Sequence, residues 1–113
     1  MPSHDWIEDF PAAITVTDAE GIIMAMNRAA IKSFETDGGA DLIGRSVLDC
    51  HPEPARSKLA DLLAARKMNV YTIEKNGTKK MIYQSPWYVE GRFGGIVELT
   101  FEIPASMPHF LRG

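Results

Sequence analysis

Apolar and polar positions change period twice along this chain. Ile14 and Val16 alternate with Thr15 and Thr17, the period of two expected of a strand with one buried face. Asp18 to Gly21 supplies turn chemistry, with Gly21 free to take positive φ. Ile22 to Met26 is a second apolar run and reads as the returning strand. Asn27 then stands where a helix needs a side-chain oxygen for its orphan N–H groups. Ala30, Ile31 and Phe34 share one face of a helix expected from about Arg28 to Phe34, and Asp37-Gly38-Gly39 breaks it. Asp41 to Gly44 reads as one helical turn closed by glycine. Ser46 opens another, with Asp49 three residues on in the manner of a capping box. Pro52 and Pro54 precede the longest helix, where Ala55, Leu59, Leu62 and Leu63 form one apolar stripe.

The period then returns to two. Asn76-Gly77 is the strongest short signal for a hairpin, a type I′ turn. A two-residue loop there pairs Lys75 with Thr78, Glu74 with Lys79, Thr72 with Met81 and Val70 with Tyr83. Glu74 opposite Lys79 places unlike charges across the ladder and helps to fix the register. Pro86 marks a bulge or an edge in the next strand, and Glu90 to Gly95 is read as a turn. In the last strand Val97, Leu99, Phe101 and Ile103 face one way, and Glu98, Thr100 and Glu102 the other. Parity alone does not say which set points inward. Two strands, a run of short helices, a longer helix and three strands give an α+β fold, an antiparallel sheet with helices on one face.

Before this pattern begins, Ser3 is placed to cap a short helix reaching Phe10, with Trp6, Ile7 and Phe10 on one side. So short a helix is stable only when docked. The segments expected are therefore a capping segment at 1–10, the domain at 11–104 and a tail at 105–113. A length of 113 residues suits one core and little more. A net charge of −3 provides no basic field for nucleic acid or an anionic membrane. No apolar run approaches the roughly 20 residues of a membrane span. The acidic N-terminus lacks the basic start and apolar stretch of a secretory signal, and one cysteine, Cys50, excludes an internal disulfide. A cytoplasmic location is expected.

Four stretches together resemble the PAS, or sensory box, family over roughly residues 11–104. The first hairpin carries Asp18, Gly21, Ile23 and Asn27 at the family's spacing. Asn27-Arg28-Ala29-Ala30 with Phe34 is similar to its Asn-x-Ala-Ala…Phe helix. Leu42-Ile43-Gly44-Arg45 is close to its connector, and Gly91 to Ile96 leads into Glu98 and a terminal Glu102-Ile103-Pro104. The resemblance implies a five-stranded antiparallel sheet and a helical cradle around a small interior, working in signal sensing. It implies output through a homodimer or an effector protein in trans. It also implies an interior ligand, with Met26, Phe34, His51, Tyr71, Tyr83 and Trp87 as pocket candidates. Dimerisation is expected on the outer sheet face through Trp6, Ile7, Phe10, Ile96 and Glu98. Flavin-binding light sensors of the family carry a cysteine three residues after the connector glycine. That position here is Val47, so a flavin adduct is not expected, and Cys50 is displaced by three residues.

Imidazole is a good iron ligand, and haem-binding members of the family use a histidine from this helical region, so His51 is the haem-ligand candidate. The plainer reading is that His51 only closes a helix start. Cys50 is read as a small buried hydrophobe, with a redox role as the alternative. The methionines either line an adaptable pocket or fill the core. No Ser-His-Asp grouping, phosphate loop or paired metal motif is visible, and His4, His51 and His109 are far apart. No catalytic residue, no metal site and no enzymatic activity are expected. The alternative to ligand sensing is a protein–protein module with a filled core, and the interior volume separates the two.

Overall fold

A computed structural model describes residues 5–113, and of Cys50 the backbone alone. The Ser3 cap and the Cys50 thiol thus lie outside what is described. The order of elements is α1 (Asp5–Glu8), β1 (Ala13–Thr17), β2 (Ile23–Met26), α2 (Arg28–Ser33), three single 3₁₀ turns, α3 (Ala55–Ala65), β3 (Asn69–Lys75), β4 (Thr78–Val89) and β5 (Arg92–Ile103). The strands form one antiparallel sheet in the order β2-β1-β5-β4-β3.

Local chemistry fixes the ends of these elements. Asp18 Oδ1 accepts from the backbone N–H groups of Glu20 and Ile22, closing the first hairpin. Ser46 caps the third 3₁₀ turn by accepting from Leu48 N–H. Glu53 accepts from both the backbone N–H and the hydroxyl of Ser57, supplying the first turn of α3 with the acceptor that Pro54 lacks. These bonds, the hydroxyl's first, hold the Glu53 carboxyl below its ordinary value. The Asn76-Gly77 turn gives the expected register: Lys75 faces Thr78, Glu74 faces Lys79, Thr72 faces Met81 and Val70 faces Tyr83.

One turn departs from expectation. The reversal after β4 is confined to Glu90 and Gly91, both at positive φ, and β5 begins at Arg92. Gly94 and Gly95 are strand residues. A side chain on Gly94 would meet the Trp87 ring at 2.6 Å, and one on Gly95 would run into the backbone of Thr17 and Asp18. Glycine stands there because two other segments pass too close for a Cβ, not because the chain turns. Pro86 is tolerated in β4 because β3 reaches only as far as Gln84, so β4 beyond it has β5 on one side alone.

The core lies between the sheet and the helical layer. Ile23, Met26, Ala30 and Leu42 form its buried centre, with Ile31, Phe34 and Val47 packed against it. The stripe on α3 behaves as read: Leu59 is buried, and Ala55, Leu62 and Leu63 are half-buried. Among the described residues no helix is long and apolar enough to cross a membrane.

Candidate functional site

Two surfaces of the sheet carry the chemistry, and their contents are the reverse of a simple apolar-inside rule. The helical side receives Thr15, Thr17, Gln84, Ile96 and Glu98, while Ile14, Val16, Val97, Leu99 and Phe101 face away from the helices. This corrects the expected grouping. Ile96 is 5% exposed and lines the interior together with Glu98, so neither belongs to the outer face assigned to them from sequence.

The interior space is small. It measures about 20 Å³ and is lined by Thr15, Met26, Phe34, His51 and Glu98 among others. That is room for about one water. A hydrogen-bond relay crosses three strands beside it. Asn69 Nδ2 donates to Gln84 Oε1 at 2.9 Å, and Gln84 Nε2 donates to Glu98 Oε2 at 2.7 Å. The relay delivers a hydrogen-bond donor to the Glu98 carboxylate, a charge-assisted bond from a neutral amide. Tyr71 faces Ile82 across β3 and β4 and lies under Lys58, whose Nζ is 5.9 Å from the ring centre. Partial burial, then the Glu98 charge, push the Tyr71 phenol above its ordinary value.

A raised phenol pKa favours the neutral form in the folded chain. Its contribution to stability is therefore complete below the unfolded-state pKa near 10 and is lost as the pH rises through the folded value. An alkaline absorbance titration of the chain against Tyr71→Phe should show a phenol that ionises late. Glu98→Gln should bring that step to lower pH, though less than full exposure of the ring would. A difference spectrum whose phenolate step comes at or below the ordinary tyrosine pH would refute the assignment.

The pocket candidates separate accordingly. Met26, Phe34 and His51 line the interior, and Tyr71 belongs to the same side of the sheet. Tyr83 and Trp87 do not. Tyr83 pairs with Leu99 on the outer face, its hydroxyl 3.5 Å from the Met68 sulfur. Trp87 lines an outer hollow with Ile7, Val16 and Val97, and its indole N–H donates to the Thr17 carbonyl at 2.9 Å. Sequence reading passed over Asn69 and the inward role of Glu98. The register from the Asn76-Gly77 turn, extended to the end of β3, places Asn69 opposite Gln84, a signal from which the first half of the relay could have been found.

His51 forms a wall shared by the interior and a polar surface cleft containing Arg45, Asp49 and Arg56. Its Nδ1 lies 2.8 Å from the Val47 carbonyl. A carbonyl accepts only, so this contact makes Nδ1 the donor and orients the ring much as a metal-binding histidine is oriented. The space does not match the ring. A haem-class ligand needs several hundred Å³, against about 20 Å³ here with Phe34 edge-on to the imidazole at 6.4 Å between centres. Haem does not fit this interior as packed. Among the described residues no group of three or more His, Cys, Asp or Glu side chains is placed to hold a metal ion.

The outer face is organised by Asn27, which is 2% exposed. Its Oδ1 accepts from Ile14 N–H and Ala30 N–H, at 2.9 and 3.1 Å. Its Nδ2 donates to the carbonyls of Ala12 and Ile7, at 2.8 and 2.9 Å. One side chain thus caps α2, anchors β1 and ties α1 to the sheet. Ile7 lies against the outer face beside Val16 and Val97, whereas Trp6 is 66% exposed and Phe10 45% exposed, their rings edge to face. Two open apolar hollows flank this segment. One of about 670 Å³ is lined by Phe10, Pro11, Leu99, Phe101 and Glu102, the other, of about 530 Å³, by Ile7, Glu8, Met24 and Val97 among others.

A sheet of this order with a helical cradle, an N-terminal segment folded onto the outer face and a near-filled interior make up one small α+β domain. The family model for the PAS fold matches residues 5–80, and the chain belongs to that family. No curated protein matches it. Its fold is similar to that of a C-terminal domain from Streptococcus mutans, at 20% identity and a TM-score of 0.71, covering 88% of this chain and 81% of that one. It is similar also to the PAS domain of BvgS from Bordetella pertussis, at 18% identity and a TM-score of 0.68, covering 90% and 84%. A third likeness is to the Aer2 receptor of Vibrio cholerae, described as a dual PAS-heme oxygen sensor, at 18% identity and a TM-score of 0.57, covering 82% and 95%.

Proposed function

We propose that this sensory-signalling PAS domain works as an interaction module whose output surface is the outer face of its sheet, where it pairs with a second copy or an effector protein. It performs no catalytic step and works in the cytoplasm. The observation that carries this reading is the inverted strand phase: Val97, Leu99 and Phe101 face outward, whereas Glu98 faces the core. Apolar side chains on an open sheet face leave area that association buries. The interior of about 20 Å³ supports the same reading, since it leaves little space for a large ligand.

Adjacent residues on opposite faces make the test. Sedimentation over a wide concentration range should show self-association of the chain. Leu99→Gln should weaken it at least about tenfold, the equivalent of roughly 1.4 kcal/mol. Glu98→Gln should leave it unchanged. Equal effects of both substitutions, or of neither, would argue against an outer-face output.

The polar relay ending on Glu98 favours a second reading, in which a ligand of a few heavy atoms binds beside it. A visible spectrum and mass spectrometry of the denatured extract decide between the two. A colourless protein that releases nothing keeps the interaction reading in front. A stoichiometric small molecule, or a Soret band lost in His51→Ala, would replace it with ligand sensing.

A further inference from the structure

We propose that the outer face is built to receive the C-terminal tail of a second copy of this chain, with Met107, Phe110 and Leu111 seated in the hollows beside the N-terminal segment. The inference rests on the outer-face reading above and names what fills that face.

Two unpartnered apolar features occur in one molecule. The hollows beside Phe10 and Ile7 are walled by apolar side chains and carry few polar groups to orient a metabolite. The tail beyond β5 is irregular, and Met107, Phe110 and Leu111 are 54%, 69% and 94% exposed. Apolar side chains this exposed on a segment without regular structure gain most from a preformed groove.

Charge agrees with shape. Residues 104–113 contain Arg112 and His109 and no acidic residue. The hollows bear Glu102 and Glu8 at their rims, and Asp5 lies on the same short helix as Glu8. Arg112 lies over the Phe110 ring at 5.5 Å from its centre, so cation and aromatic are presented together. Attraction between a cationic segment and an acidic rim sets orientation more than affinity.

Geometry selects a second copy over the chain's own groove. Pro104 and Pro108 bias Ile103 and Met107, the residues before them, toward extended backbone. The chain bends at Ala105 and Ser106, and beyond the bend Met107, Phe110 and Leu111 stay exposed, so they are not seated in the chain's own hollows. Two copies exchanging tails make the same contact twice, as a two-fold dimer requires.

The test is sedimentation of the full chain against a Phe110→Ala, Leu111→Ala double variant. Both side chains are exposed, so folding should be preserved, and circular dichroism checks it. The expected result is a dimer whose Kd rises at least about tenfold in the double variant. A synthetic peptide of residues 105–113 should compete for the dimer and bind the double variant. An unchanged Kd in the double variant, with Leu99→Gln still weakening the dimer, overturns the tail proposal and leaves the outer-face reading standing. A monomeric full chain whose double variant alone binds the peptide means that the tail seats in its own groove, and overturns the second copy. A monomeric chain that binds no peptide in either form overturns the tail proposal and self-pairing alike.

Discussion

Asn27→Ala should cost this domain about 3 kcal/mol, combining a lost helix cap with buried backbone groups left unpaired. The Asn27 side chain makes four hydrogen bonds, to Ile7, Ala12, Ile14 and Ala30, at 2% exposure. Alanine makes none of them. The Ala30 N–H at the start of α2 loses its acceptor, and so does the Ile14 N–H at the start of β1. For a domain of this size the melting temperature should fall by roughly 10–20 °C. The loss should also be uneven. The Ile7 carbonyl is the tie between α1 and the rest, so amide exchange in residues 5–10 should rise further than global destabilisation accounts for. Asn27→Asp keeps both acceptor bonds and loses the two donors. It should therefore retain the α2 cap and release the N-terminal segment. If Asn27→Ala melts within about 3 °C of the parent, the shared-anchor account fails.

Gly95→Ala should be more damaging still, above about 4 kcal/mol, the range reserved for a specific steric mechanism. Gly95 is at φ +143°, a conformation that side-chain-bearing residues rarely adopt, and its Cβ would press on the Thr17 carbonyl and come within 2.6 Å of the Asp18 backbone. Both neighbours are main chain of β1 and its turn, so no rotamer change relieves the clash. The control is Gly44→Ala. Gly44 is also at positive φ, +95°, but has open space around it. It should cost only the backbone strain, on the order of 1 kcal/mol. Denaturant titration of the two variants separates crowding from strain. Equal midpoints for Gly95→Ala and Gly44→Ala would sink the argument.

The contrast between these glycines shows what the sequence holds locally and what it does not. Asn76-Gly77 declares its hairpin because a type I′ turn needs two residues at positive φ, and the whole β3–β4 register followed from it. Asn27 declared the α2 cap for an equally local reason. Gly94 and Gly95 read as a turn because glycine pairs commonly mark one. Their real partners, Trp87 and the Thr17–Asp18 backbone, are brought in only by the assembled sheet. The face of β5 was illegible for a related reason. Alternation gives two sets of side chains, and only the position of the helical layer decides which set is inside. Here the interior accepts a carboxylate and an amide because they satisfy one another. The relay through Asn69, Gln84 and Glu98 combines a local register with a distant pairing, and only its first half was within reach of the sequence.

The strand order has a consequence for how the chain acquires its shape. β3, β4 and β5 follow one another as hairpins, so their pairings close short loops. The middle of the sheet does not. There β1 lies against β5, with Ala13 opposite Thr100 and Val16 opposite Val97. Closing so long a loop costs entropy before any contact repays it, which places the domain among slower-folding topologies than a helical bundle of equal size. During synthesis, which runs from the N-terminus, β1 and β2 leave the ribosome long before their central partner exists. Until β5 has been made, the edge of β1 that it pairs with stays open, although Ile23 and Met26 can already pack on Ala30 and Leu42.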